Sequence, residues 1–418
     1  MIESTDFLER HRFRSQDFTR RRFLPLPRLI WFMLGVVKGA LQPELDRFFE
    51  GLGGLGGVAR TVTKAAFSIA RRKLHFGAFV DINRVAIKTF YTHQPIRRWH
   101  GLRLLAVDGS TALLPRSPEI SEFFGVVDSQ QPVPQPIGRI SMLYDVLNRV
   151  TLDAHLSPYG IGEHDLLQLH LPFVGRDDLL LLDRGYPAFW LLVLLERQRL
   201  PYCMRATATS SPAIVDFLRS GQPEAIIDLT AGREARRLCR RKGLPVLPTP
   251  VRLVRVELST GESEVLITSL LDTIRFPHPL FAELYHQRWG IEEAYKVLKR
   301  RADLEIFTGQ SVLTVMQDFH AHVATLNLAS MLAHQAQQEV EAQPAPRCHP
   351  LQVNFSYALA RVKHTLAALL SALDPLPLLH SLIDIFAKTL EPVRPNRSYP
   401  RSPLLRHRRF HMNYKRCG

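Results

Sequence analysis

Cysteine is scarce in this 418-residue sequence, and the four present (Cys203, Cys239, Cys348 and Cys417) include no C-x-x-C pair. That scatter excludes a zinc ribbon and a disulfide framework, and it points to a reducing cytoplasm. Long apolar runs are also missing. The longest, LIWFMLGVV (Leu29–Val37), falls well short of the roughly 20 residues a spanning helix needs. The N-terminal MIESTDFLERHRFR is charged and has no signal-peptide core. The expectation is a soluble protein with no membrane partner. Acidic residues are in deficit: 39 Asp and Glu face 54 Lys and Arg, a net charge of +15. An excess of that size speaks to a polyanionic partner, nucleic acid first. The chain is long enough for two or three domains, and its 46% hydrophobic content is that of a globular protein.

Along the chain, residues 1–100 read as helical, with basic residues on the polar sides of PELDRFFEGL, RTVTKAAFSIARRKL and DINRVAIKTFY. GLGGLG (Gly51–Gly56) matches G-x-G-x-x-G literally. It follows a helical LDRFFE where a nucleotide site needs a strand, so it reads as a hinge. From Arg103 the texture changes. RLLAVDGS is a short apolar run ending at Asp108-Gly109, and ISMLYDVLNRVTLDAHL reads as a hairpin turning at Asn148-Arg149. EHDLLQLHLP is a short helix, DLLLLDRGY a buried strand ending at Asp183, AFWLLVLLERQ a helix and PYCMRA the end of that stretch. Together they describe a mixed α/β sheet covered by helices. Residues 206–267 alternate apolar and polar around Thr260-Gly261 and read as a β-rich insertion, preceded by an irregular basic GREARRLCRRK. Helices then resume, a linker follows in EAQPAPRCHP, and residues 393–418 form an Arg-studded tail. The expected organisation is a helical DNA-binding region at 1–100, a catalytic domain at 101–335 interrupted at 206–267, and a helical C-terminal region with a basic tail at 336–418.

The stretch YHQRWGIEEAYKVLK carries the most chemistry. On a regular helix, with Tyr285 at zero, Arg288 falls at about −60°, Glu292 at about −20° and Lys299 at about −40°. Ile291, Ala294, Val297 and Leu298 lie opposite, between about 120° and 240°. An amphipathic surface helix explains one polar face, but it does not account for a single acid set between Arg and Lys. Asp108 and Asp183 each end an apolar run just before a glycine turn, an arrangement that holds a carboxylate on rigid backbone at an opening. Each alone is also an ordinary turn Asp. With Glu292 they make three acids whose mutual repulsion calls for divalent cations, and hard oxygen donors favour Mg²⁺, with Mn²⁺ able to substitute. Two such ions can clamp a phosphodiester in an in-line displacement, with Arg288 and Lys299 holding phosphate oxygens.

This ordered set closely resembles the insertion-sequence-four family of DDE transposases. The family signature is Tyr, two residues, Arg, three residues, Glu, six residues, Lys. Tyr285, Arg288, Glu292 and Lys299 meet every interval. The resemblance runs from FTRRRFLPLPRLI through VDGST, DRGY and the signature to RPNRSYPR, nearly the whole chain. It implies a ribonuclease-H-like core with a β insertion between the second Asp and the Glu. It also implies cut-and-paste cleavage and strand transfer, acting on double-stranded inverted-repeat ends and target DNA. Asp108, Asp183 and Glu292 would then be catalytic metal ligands, and Tyr285, Arg288 and Lys299 would grip the terminal phosphate, with Trp289 stacking near a displaced base. A dimer in the synaptic complex and a bacterial, nucleoid-associated location follow from the same likeness. The rival readings are a nuclease that cuts without joining and an inactive copy that only binds ends.

Other clusters are weaker. His320, His322 and His334 share a helical stretch without acids at ligand spacing and read as core or surface. Glu163, His164 and Asp165 offer a fourth acid, but acids also favour a helix start. Asp145 and Asp153 read as strand-surface acids of the hairpin. Arg394, Arg397, Arg401, Arg406, Arg408 and Arg409 read as phosphate contacts.

Overall fold

The computed structural model describes residues 1–20, 23–36, 39–53, 62–127, 134–209, 211–257, 263–342 and 349–393. The Thr260-Gly261 turn, Gly54–Gly56 of the glycine stretch and the Arg-rich tail from Arg394 lie outside them, while Gly51–Gly53 close the helix Leu41–Gly53. Nine strands form one sheet: β1 (Arg103–Leu113), β2 (Val126–Val127), β3 (Gln135–Asp145), β4 (Val150–Pro158), β5 (Asp178–Leu182), β6 (Tyr202–Ala206), β7 (Glu224–Leu229), β8 (Thr249–Glu257) and β9 (Ser263–Thr268).

The order β4-β3-β1-β5-β6 is a three-stranded antiparallel meander joined through β1 to two parallel strands. That is the ribonuclease-H-like arrangement. The run Leu179–Leu182 of β5 is apolar on every residue because both its faces are covered. Leu179 and Leu181 face Leu284, Ile291 and Phe319, whereas Leu180 and Leu182 face Leu167, Leu171 and Leu191. The hairpin turns where expected. Arg149 takes the left-handed conformation (φ 57°), and the Asp145 carboxylate accepts from the Leu147 and Asn148 amides.

β1 differs from expectation. It does not end at Asp108 but continues five residues further, because Asp108–Leu113 keep pairing with β3 after the parallel contact with β5 has ended at Ala106. The insertion differs too. Its strands extend the same sheet in the order β6-β9-β8-β7, and two helices, Pro212–Ser220 and Arg233–Arg241, lie among them. The basic stretch read as irregular is the second of these helices: Cys239 is buried while its arginines stay exposed.

The terminal regions are not separate bodies. The helix Val312–Ala342 runs across the expected boundary at 335/336. It is buried on opposite sides, against the sheet through Val315 and Phe319 and against terminal helices through Ala321, Ala324 and Ala329. Leu29, Ile30 and Phe79 from the N-terminal side share that second core with Leu359 and Phe386 from the C-terminal side. A helix at Leu376–Lys388, which sequence reading missed, supplies Phe386. No described helix is long and apolar enough to cross a membrane.

Candidate active site

β1 and β5 run parallel with Ala106 beside Leu181. Asp108 and Asp183 each follow two residues later, where the parallel pairing of β1 with β5 has stopped. Ligands bind at such places in open α/β sheets, because the chain parts there and leaves a crevice. The signature stretch lies across this opening as two short helices, Leu280–His286 and Trp289–Lys296, followed by a π-helical turn at Val297–Arg301. The expected single regular helix is therefore broken, and the wider turn shifts the phase of Lys299. Both helices are pinned to the strands through tyrosines. Tyr295 donates to the Asp108 carbonyl (2.6 Å), and Tyr285 to the Leu182 carbonyl (3.3 Å), one residue before Asp183.

The polar groups converge as follows. Arg288 donates to Glu292 Oε1 (2.9 Å), and its other terminal nitrogen lies 3.9 Å from Asp108 Oδ2. One guanidinium thus sits between two of the three acids. Asp108 and Asp183 each accept a backbone amide from just after them, Gly109 on β1 (2.8 Å) and Gly185 in the turn after β5 (2.9 Å). Burial pushes the Asp108 carboxyl up and the charges of Asp183 and Glu292 add to the rise. The Gly109 amide and Arg288 hold it back, leaving it at about 6. Lys299 bonds the carbonyl of Thr111 on β1. Trp289 is exposed, lies near His286 (6.4 Å between rings), and lines a cleft of about 510 Å³ with Tyr144, Arg149, Glu293 and Phe355.

Tyr285 is placed differently from expectation: it is 7% exposed, and its hydroxyl faces the Leu182 carbonyl rather than the crevice. The two hairpin acids are also corrected. Asp145 and Asp153 are buried, not on the surface. Asp145 caps the turn and accepts from Tyr91 (2.8 Å), and Asp153 sits between His155 and His170. His320, His322 and His334 are buried on the long helix, as core histidines. Glu163 comes into the site. A Cβ placed on Gly109 would meet its Oε1 at 2.8 Å, and one on Gly185 its Oε2 at 3.8 Å. Its carboxylate, paired with Arg139 (2.9 Å), therefore stands beside both acid-bearing segments. Tyr295, Tyr186 and Arg139 were missed, and no spacing in the sequence marks them.

The donors suit a hard divalent cation, since carboxylate oxygens dominate. The buried Tyr186 hydroxyl also has no hydrogen-bond partner and lies within the influence of Glu163, Asp108 and Asp183. Such a group is left waiting for a water or ligand oxygen.

Fold and site together define a ribonuclease-H-like chain with two acids just past the parallel pairing of β1 and β5 and a third on a helix near them. Residues 99–328, a little over half of the chain, match the transposase DDE domain family, and the chain belongs to that DDE transposase family. It is 26% identical over 290 residues to the transposase InsG of insertion sequence element IS4 from Escherichia coli (strain K12), covering 67% of this chain and 63% of that protein. The match thus spans less than two thirds of this relative's length. The putative transposase InsZ of the same organism is 28% identical over 102 residues, 24% of this chain and 34% of its own. A cryo-EM structure of the piggyBac transposase synaptic complex with hairpin DNA aligns over 91% of this chain and 80% of that chain, at 11% identity and a TM-score of 0.42.

Proposed function

We propose that the protein is a metal-dependent DNA transposase. It cuts strands at the inverted-repeat ends of its own element and joins them to target DNA, working as a dimer at the bacterial nucleoid. The carrying observation is that Asp108 feels the charges of both Asp183 and Glu292, with the Arg288 guanidinium set between Asp108 and Glu292. Asp108, Asp183 and Glu292 are the residues to hold divalent ions, Mg²⁺ first. When bound, those ions supply Lewis-acid activation of the phosphodiester and of the attacking oxygen.

The chain's own groups do the rest. In the first step water attacks phosphorus, loses a proton, and the 3′-oxygen leaves as a hydroxyl. In the second, that 3′-hydroxyl attacks a further phosphodiester and gives up its proton, so one bond forms as one breaks. Arg288 neutralises the acids while no phosphate is present and can turn one face of its fork to a phosphate oxygen. Lys299, on the β1 side of the crevice, is a point charge for a second oxygen. Tyr285 and Tyr295 hold the strand ends bearing Asp183 and Asp108. Trp289, exposed at the cleft rim, offers a flat apolar face to an unpaired base.

The test measures Mg²⁺-dependent nicking and gel-shift on one end duplex for Asp108→Ala, Asp183→Ala and Glu292→Ala. Each variant is expected to lose cleavage and keep end binding, because affinity comes mainly from phosphate contacts. Near-normal cleavage by any of the three would overturn the assignment.

A further inference from the structure

Away from the acid crevice, one buried cluster offers a different donor set. Asp153 and His155 are two residues apart on β4, so both point to one face of the sheet. The helix Glu163–His170 packs on β3 and β4 and ends at His170. Asp153 Oδ2 lies 2.8 Å from His170 Nδ1 and 2.8 Å from His155 Nε2, and the three ligand atoms all lie within 4.8 Å of one another.

A carboxylate between two imidazoles is often only a hydrogen-bond network. Two further observations set this one apart. His155 Nε2 is buried against the Asp153 carboxylate at 2.8 Å, outside the geometry of a well-formed hydrogen bond. His170 also has a partner for its other nitrogen, since Nε2 lies 2.9 Å from Ser141 Oγ. Metal-bound histidines use such an outer contact to fix the ring and keep the ligating nitrogen free of its proton. The order Ser141–His170–Asp153 has the connectivity of a nucleophilic triad. Ser141 is 1% exposed and His170 0%, however, so no substrate reaches the hydroxyl and acyl transfer is excluded.

We propose that Asp153, His155 and His170 form a binding site for a transition-metal dication of the zinc class, separate from the Asp108, Asp183 and Glu292 site. Two nitrogens and one oxygen suit zinc, cobalt or nickel; magnesium and calcium prefer oxygen throughout. Tetrahedral bonds of about 2.0–2.1 Å place ligand atoms about 3.3 Å apart, so the cluster opens by about half an ångström. His155, with 30% of its side chain accessible, supplies that movement, the way in and room for a water as fourth ligand. On binding, His170 keeps one proton, on Nε2, and donates it to Ser141 Oγ. The ion would tie β4, the outer strand of the hairpin, to a helix whose first residue, Glu163, stands beside Gly109 on β1.

The full-length protein, stripped with chelator, is titrated with Co²⁺ and followed by visible ligand-field absorption and bound-metal stoichiometry. Wild type and the double variant Asp108→Asn/Glu292→Gln are expected to take up one tightly bound Co²⁺ with the same low-symmetry spectrum. His155→Ala should lose it while keeping its circular dichroism. Ser141→Ala, a positioning variant, should retain the spectrum with affinity about 10- to 100-fold weaker. Zn²⁺ should raise the melting temperature of wild type and not of His155→Ala. Three results overturn the site: no such absorption in wild type, an unchanged spectrum in folded His155→Ala, or loss of the spectrum only when the acids Asp108 and Glu292 are replaced. The last would mean that the ion sits in the crevice.

Discussion

At the scale of single residues, Arg288 and Lys299 separate a solvated helix face from a phosphate grip. An exposed lysine on an ordinary helix can be removed at a cost within about 0.5 kcal/mol. Lys299→Ala is therefore expected to melt as wild type does, to nick more slowly and to join strands more slowly still, because joining holds two strands at once. Its end binding should show a slope of log affinity against log salt smaller by about one. Wild-type joining with an unchanged slope would return Lys299 to the solvated face. Gly109 makes a second test. Alanine there would put a Cβ 2.8 Å from Glu163 Oε1, and the tip of a flexible side chain can swing aside, so the fold should survive. What moves is a carboxylate standing beside both acid-bearing segments. Gly109→Ala should lower the nicking rate about 10-fold or more, the scale of supporting residues around a metal site. An unchanged rate would make Glu163 a helix-start acid and nothing else.

At the scale of elements, periodicity made most of the core legible and left out what depends on neighbours. DLLLL and the hairpin around Asn148-Arg149 could be read because a two-sided strand and a left-handed turn leave local marks. The continuation of β1 beyond Asp108 could not, because Gly109-Ser110-Thr111 are strand only through pairing with β3. The π-helical turn at Val297–Arg301 likewise has no sequence mark, though it resets where Lys299 points. The acids were legible as a set by order and spacing, whereas Tyr295 and Tyr186 were not, since Tyr295 meets Asp108 across 187 residues of chain and Tyr186 acts on acids that only the fold brings together. Asp145 and Asp153 were misread because alternation alone cannot tell which strand face another helix will cover. The long helix carries a pH prediction of its own. Burial, aided by His155, pushes His320 down to about 3; His75 and Arg84 act in the same direction and Asp153 opposes them. A histidine whose folded pKa lies below its unfolded value of about 6.5 stabilises fully above that value, and the contribution is lost as pH falls towards 3. With chelator present, wild type should therefore lose more stability than His320→Phe between pH 6.5 and about 4. Parallel losses in the two proteins would mean that His320 is charged in the fold.

At the scale of the whole molecule, the N-terminal helices and the catalytic sheet are held in one piece by a buried polar knot. Arg71, 2% exposed, donates to Asp318 Oδ1 (2.8 Å), Gln317 Oε1 (2.9 Å) and the Thr314 carbonyl (3.0 Å), and also bonds the Thr308 hydroxyl. Gln317 answers with bonds to the Arg71 and Leu74 carbonyls (2.8 and 2.6 Å). A helix ending in Arg71 near the chain start is thereby locked to the same helix that backs the sheet. Arg71→Met fills the space but takes its cationic partner from the buried Asp318 carboxylate, and breaking a buried pair from one side costs about 3–5 kcal/mol. Replacing both partners, Arg71→Met with Asp318→Leu, removes the uncompensated charge and should recover part of that loss. Because the knot joins residues 247 positions apart, the single variant should lower one cooperative transition, with far-ultraviolet dichroism and tryptophan fluorescence falling together in denaturant. If the two signals separated, with the sheet outlasting the N-terminal helices, those helices would be an independent unit. A cost below about 1 kcal/mol would mean that the shared apolar core around Ala321 and Ala329, and not the ion pair, joins the two halves.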